Sequence, residues 1–190
     1  MPATEGVAAV ILAGGQGSRM GGADKGLVEY RGRPLIEWTL AAIAPQVEEL
    51  VISANRNLDV YAAYGRRLLP DTLPDYPGPL AGVLAALQAV RAEWLLVVPC
   101  DTPHLPADLA ARLLAAARRE NVPVAIAADD MRRHHTCFIV RTDQRDALAA
   151  FLARGERAVR RWQAELPSTE IQFDVAAFAN LNRPEDMSNT

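Results

Sequence analysis

Residues 6–12, Gly6-Val7-Ala8-Ala9-Val10-Ile11-Leu12, carry no polar side chain and then give way to glycines. A short, unbroken apolar run of this kind predicts a strand buried on both faces; a helix would show apolar residues at a period of about 3.6 over a longer stretch. Strand-sized apolar runs recur at Leu50-Val51-Ile52-Ser53, at Arg67-Leu68-Leu69 and over residues 94–98, the last stopped by Pro99. Between these runs the period changes. Gly32-Arg33-Pro34 opens a helix with Pro34 suited to its first turn and Leu35, Trp38 and Ala42 on one face. Residues 80–90 repeat apolar positions at helical spacing after the turn Pro77-Gly78-Pro79, and residues 107–119 form a helix with Asp108 well placed for its first turn.

In the second half the pattern predicts strands over residues 122–127, 136–140 and 169–175. Helices are expected over residues 143–152 and 156–165, with Gly155 breaking the first. The polar, basic stretch Asp129-Asp130-Met131-Arg132-Arg133-His134-His135 separates two of the strands. Strands alternating with helices predict an α/β layered sheet. No internal repeat, low-complexity tract or linker divides the chain, so residues 1–190 are expected to form one domain.

Composition narrows the partners. The chain has 190 residues, 50% hydrophobic and 23% charged, enough to bury a sizeable core. A net charge of −3 makes no electrostatic case for nucleic acid or an anionic membrane. The longest apolar runs are strand-sized, so no membrane span is expected. The N-terminal residues lack a basic start and an apolar signal core, and the cytoplasm is the expected compartment. Two cysteines, Cys100 and Cys137, cannot build a disulfide framework or a four-cysteine zinc site. His104, His134 and His135 show no metal-ligand spacing, and His134 and His135 read as solvated side chains or as residues at a substrate's edge.

The chemistry concentrates after the first strand, in Leu12-Ala13-Gly14-Gly15-Gln16-Gly17-Ser18-Arg19-Met20-Gly21-Gly22-Ala23-Asp24-Lys25. Closely spaced glycines let backbone N–H groups approach an anion, and Arg19 and Lys25 supply two positive charges. This is the pattern of a phosphate loop. It is not a dinucleotide fingerprint, because Met20 stands at the third glycine position. Nor is it a Walker loop, because Gly26 follows Lys25 where Ser or Thr is required.

Asp101 lies just beyond the strand of residues 94–98, at the end where α/β sheets hold ligands. It is placed either to hold Mg²⁺ or to cap a turn before Thr102-Pro103. Asp71 follows the third strand in the same way. It leads into Asp75-Tyr76-Pro77-Gly78-Pro79-Leu80-Ala81-Gly82, a rigid loop that either shapes a base pocket or simply starts a helix. Asn180 and Asn182 put two amides on one side of an extended segment, for a ligand phosphate or for a turn before Pro184.

Together these segments resemble the molybdenum cofactor guanylyltransferase family. The resemblance runs through Leu12-Ala13-Gly14-Gly15, Arg19-Met20-Gly21-Gly22, Asp24-Lys25-Gly26, Gly32-Arg33-Pro34-Leu35, Ala54-Asn55-Arg56, the segment ending at Gly82, Pro99-Cys100-Asp101-Thr102-Pro103 and Asn180-Leu181-Asn182. It implies a three-layer, Rossmann-like nucleotidyltransferase fold with a mostly parallel central sheet. It also implies GTP and molybdopterin as substrates, Mg²⁺ as cofactor, and transfer of GMP to the molybdopterin phosphate.

By position, Leu12, Ala13, Gly14 and Gly15 would contact the nucleotide, Lys25 the phosphates, Asp71 the guanine-ribose side, and Asp101 the metal. Gly82 would belong to the GTP site. Ser53 would keep a hydroxyl contact where relatives commonly carry Asn. Arg19, Lys25 and Asp101 would carry catalysis. Residues 1–105 would handle the nucleotide and residues 106–190 the acceptor, with Asn180 and Asn182 on that side and Arg132, Arg133 and Arg160 as candidate anion contacts. The resemblance implies contacts with proteins that make molybdopterin or receive its cofactor, for a monomer or weak homo-oligomer. The alternatives are a relative using CTP or a sugar phosphate, and a GTP-binding delivery protein without catalysis.

Overall fold

The computed structural model describes residues 3–13, 24–70 and 78–178. Among them the strands and α-helices follow in the order β1 (Thr4–Leu12), β2 (Glu29–Tyr30), β3 (Arg33–Pro34), α1 (Leu35–Ile43), β4 (Val47–Ser53), α2 (Leu58–Ala62), β5 (Arg67–Leu69), α3 (Pro79–Ala89), β6 (Trp94–Pro99), α4 (Leu109–Glu120), β7 (Val124–Ala128), β8 (Arg133–Arg141), α5 (Arg145–Ala153), α6 (Val159–Ala164) and β9 (Ser168–Gln172). Seven strands make one sheet in the order β5-β4-β1-β6-β8-β7-β9. All run parallel except β8, which is antiparallel to both β6 and β7. The sheet is mostly parallel, as the resemblance implies.

β1 explains why the fold has three layers. Val7 to Ile11 have no exposed surface, and alternate residues of a strand point to opposite faces. Val7, Ala9 and Ile11 pack with Ile36 and Ile43 of α1 and with Leu109 and Leu113 of α4. Ala8 and Val10 pack in the other layer with Leu80 and Val83 of α3, Phe151 of α5 and Trp162 of α6. Burying a side chain such as Ile11 on either face stabilises the fold by about 1.5–3 kcal/mol.

Several expected boundaries move, each for a local reason. The buried face of α1 is Leu35, Ile36, Thr39 and Ile43, while Trp38 and Ala42 are only half-buried. Trp38 turns instead to the β2–β3 hairpin, where its indole N–H donates to the Tyr30 carbonyl at 3.1 Å. β8 begins at Arg133, three residues before the expected start. Asp129 closes the preceding turn by accepting from the N–H groups of Met131 and Arg132, both at 2.8 Å. Arg133, His134 and His135 thereby join the strand. α4 starts at Leu109, with Asp108 before it offering its carbonyl to the Arg112 N–H at 3.0 Å. β9 ends at Gln172, because the chain turns into the 3-10 turn Val175–Phe178.

Candidate functional site

The parallel strands end together. Beyond the strands proper, Ala13 N–H donates to the Ser53 carbonyl at 2.8 Å, Cys100 N–H to the Leu12 carbonyl at 3.1 Å, and Ala54 N–H to the Leu69 carbonyl at 3.2 Å. Leu12, Ala13, Ser53 and Asp101 are therefore set along one carboxyl edge of the sheet, the edge at which open α/β sheets bind ligands. Lys25 and Gly82 join them. Of the other residues singled out in the sequence, Gly14, Gly15, Arg19, Asp71, Asn180 and Asn182 lie outside the described residues.

Lys25 and Asp101 meet there. The Lys25 Nζ donates to Asp101 Oδ2 at 3.2 Å, with the two side chains 29% and 12% exposed. Lys25 is thus half-buried at the edge of the site, and Asp101 is buried beside it. Asp101 follows β6 directly, and the end of that strand is pinned from α1, where the Thr39 hydroxyl donates to the Cys100 carbonyl at 3.3 Å.

Lys25 is set by its neighbour. Asp24, buried, caps the 3-10 turn Lys25–Leu27 by accepting from Gly26 N–H at 3.2 Å. The same carboxylate accepts from the Tyr61 hydroxyl at 2.6 Å and from the Asn57 amide at 2.9 Å, while Arg56 Nε stands 3.8 Å away. Burial, reinforced by the bond to Asp24, pushes the Tyr61 phenol far above its ordinary range, so it remains a donor. A Cβ on Gly26 would come within 2.5 Å of the Tyr61 hydroxyl and 3.3 Å of Cys100 Sγ, so only glycine lets this turn pack so closely. This role of Asp24 does not show in the sequence alone. An acidic residue immediately before the loop lysine is a capping signal, but its partners come from a separate segment after β4.

Gly82 acts by the same close approach. A Cβ there would overlap Ser53 Oγ and lie 3.1 Å from Leu12 Cδ2, so its absence lets α3 rest on the ends of β1 and β4. Ser53 is buried beneath that contact. Cys100 is buried too, and burial lifts its thiol far above the usual range, as it does for Cys137. Neither is an activated nucleophile.

On the far side of the sheet the histidines depart from expectation. His134 is buried, not solvated: its ring stacks on Phe178 at 4.3 Å between centroids, and Nε2 bonds Asp129 Oδ2 at 2.7 Å. Burial opposes ionisation of Asp129. The hydrogen bonds from His134 and from the Met131 and Arg132 N–H groups outweigh it and hold the carboxyl below its ordinary range. His135, half-buried, bonds Gln163 Oε1 of α6 through Nδ1 at 2.6 Å. Of the candidate anion contacts, Arg133 is engaged by Glu170 of β9, and Arg132 and Arg160 are exposed.

Among the described residues, no three His, Cys, Asp or Glu side chains gather into a ready-made cation cage. No helix among them is long and apolar enough to cross a membrane.

Residues 9–169 match the family model of the MobA-like NTP transferase domain. A molybdenum cofactor guanylyltransferase of Shewanella sediminis is 44% identical over 179 residues, covering 93% of this chain and 91% of its own. A protein of the same name from Cupriavidus necator is 42% identical over 193 residues, covering 98% and 97%. Among solved structures, molybdopterin-guanine dinucleotide biosynthesis protein A of Archaeoglobus fulgidus superposes with a TM-score of 0.78 at 22% identity, over 95% of this chain and 94% of that one. A CMP:2-keto-3-deoxy-manno-octonic acid synthetase bound to CTP gives 0.73 at 14% identity, over 96% and 95%. At such identities the structural likeness speaks to the fold alone.

Proposed function

Because the chain belongs to the MobA-like NTP transferase family, we propose that it transfers GMP from GTP to the phosphate of molybdopterin, releasing pyrophosphate. The observation that carries this reading is the Lys25–Asp101 pair at the carboxyl edge, next to the point where β1 ends and the glycine-rich segment begins. A cation there faces incoming phosphates, and a carboxylate beside it suits a metal that accompanies them.

The acceptor is a phosphate monoester, anionic at neutral pH, so attack on the α-phosphorus requires no strong general base. The protein's tasks are to align two anions and to offset their repulsion. Lys25, fixed by the Asp24-capped turn, neutralises charge on the triphosphate. Arg19 and the N–H groups around Gly14 and Gly15 share that task, with Leu12 and Ala13 lining the nucleotide and Ser53, Asp71 and Gly82 completing its site. Asn180 and Asn182 serve the acceptor.

Asp101 fits Mg²⁺: it is a hard oxygen donor at the carboxyl edge of the sheet, beside the Lys25 ammonium. Magnesium takes only one or two protein carboxylates together with phosphate oxygens, so a cage of acids is not needed. When bound, the ion would supply further neutralisation at the reacting phosphates. Residues 1–105 form the nucleotide-handling part and residues 106–190 the acceptor part of one domain. Two free, buried cysteines suit a reducing compartment, and the cytoplasm is the proposed location.

The test is a nucleotide panel. With molybdopterin and Mg²⁺, the chain should release pyrophosphate with GTP at a kcat/KM at least about 100-fold above those for CTP, UTP and ATP. Preferential turnover of CTP, or GTP binding without pyrophosphate release, would replace this reading.

A further inference from the structure

Arg56 follows β4 at the carboxyl edge, beside the turn that holds Lys25. Its Nε and Nη2 are sealed from solvent, yet neither has a hydrogen-bond acceptor among the described residues. The nearest carboxylate oxygen, Asp24 Oδ2, is 3.8 Å from Nε, close enough for attraction and too far for a hydrogen bond. Asp24 is moreover already occupied by Gly26, Tyr61 and Asn57. Leaving charged donors buried and unmatched is costly.

The geometry suggests what would satisfy it. Nε–H and the adjacent Nη–H form one edge of the guanidinium fork, which matches two oxygens of a phosphate. The whole side chain is 30% exposed, so the group stands at the rim of the site, not within the core. The other buried donors without an acceptor, Trp94 Nε1 and Trp162 Nε1, are neutral indoles of the packed layers and call for no anion.

We propose that Arg56 is a phosphate-binding residue of the nucleotide site, its Nε/Nη2 edge taking triphosphate oxygens that Lys25 does not neutralise. The proposal rests on the nucleotide-binding reading above and adds a third cation to Arg19 and Lys25. Neutralising Asp24 is then a secondary service. The donors themselves are kept for the ligand.

The experiment compares full-length wild type, Arg56→Met and Arg56→Lys in thermal unfolding and in equilibrium binding, each with Mg²⁺ and with GTP, GMP or pyrophosphate. Free Arg56→Met should melt no lower than wild type, because an unmatched buried cation has been removed. It should lose most of the rise in Tm caused by GTP and by pyrophosphate, with the GTP Kd weakened about 10–100-fold and the GMP Kd changed much less. Arg56→Lys keeps the charge without the fork and should fall between. If Arg56→Met melts well below wild type while GTP affinity is unchanged, the residue only balances Asp24 and the proposal fails. If both stability and affinity fall, Arg56→Lys decides: restored stability without restored affinity supports the phosphate role, and full restoration of both overturns it. A wild type stabilised by pyrophosphate but not by GTP would refute the guanylyl reading and leave Arg56 judged on pyrophosphate. A wild type blind to both ligands overturns both claims.

Discussion

Replacing Asp101 with alanine should lower guanylyl transfer by at least about 1,000-fold, measured as pyrophosphate release from GTP, Mg²⁺ and molybdopterin. The fold should survive, because the Asp101 carboxylate meets Lys25 at the edge of the site and belongs to neither packed hydrophobic layer. A melting temperature within a few degrees of wild type, read by circular dichroism, would separate loss of chemistry from loss of structure. The physical reason is charge. Without the carboxylate the metal loses its proposed protein ligand, and the repulsion between triphosphate and acceptor phosphate is no longer offset. Asp101→Asn keeps the shape and a neutral oxygen and should still lose most of the rate. Wild-type turnover in either variant would remove Asp101 from the metal site.

Lys25→Ala should reduce kcat/KM for GTP by about 100–1,000-fold, with the larger part in kcat, since charge develops on the leaving pyrophosphate as the bond breaks. The surrounding turn should persist. Its cap runs from Asp24 to the Gly26 N–H, and its other anchors are Tyr61 and Asn57; none passes through the lysine side chain. Lys25→Arg should recover only part of the loss, because a planar fork does not occupy the position of an ammonium. An unchanged kcat/KM in the alanine variant would end the phosphate role of Lys25.

The parts of this protein readable from sequence are those whose burial is written into consecutive residues. β1 and β6 are apolar along their whole buried length, so both strands are legible in the sequence. α2 is not, since Tyr61 is its buried residue while Leu58 and Val60 face water, which leaves no periodic stripe. The start of β8 was hidden because Arg133, His134 and His135 read as a polar loop; their strand geometry depends on the Asp129 turn and on Phe178, which stacks on His134 from the end of the described chain. The site divides in the same way. Lys25 and Asp101 were each recognisable by motif and strand position, but their contact spans 76 residues and belongs to the fold. The role of Asp24 is not legible locally, because the groups that give it meaning, Asn57 and Tyr61, lie 33 and 37 residues away.

The central claim is that the carboxyl edge of β1, β4 and β6 holds the nucleotide, with Lys25 and Asp101 at its phosphates. A crystal structure of the chain with Mg²⁺ and a non-hydrolysable GTP analogue tests it most directly. The account predicts Lys25 Nζ within hydrogen-bond distance of a phosphate oxygen, Asp101 coordinating the ion, and the guanosine lying along that edge near Ser53. An analogue bound at the opposite end of the sheet, or with its ion held by residues other than Asp101, would contradict it.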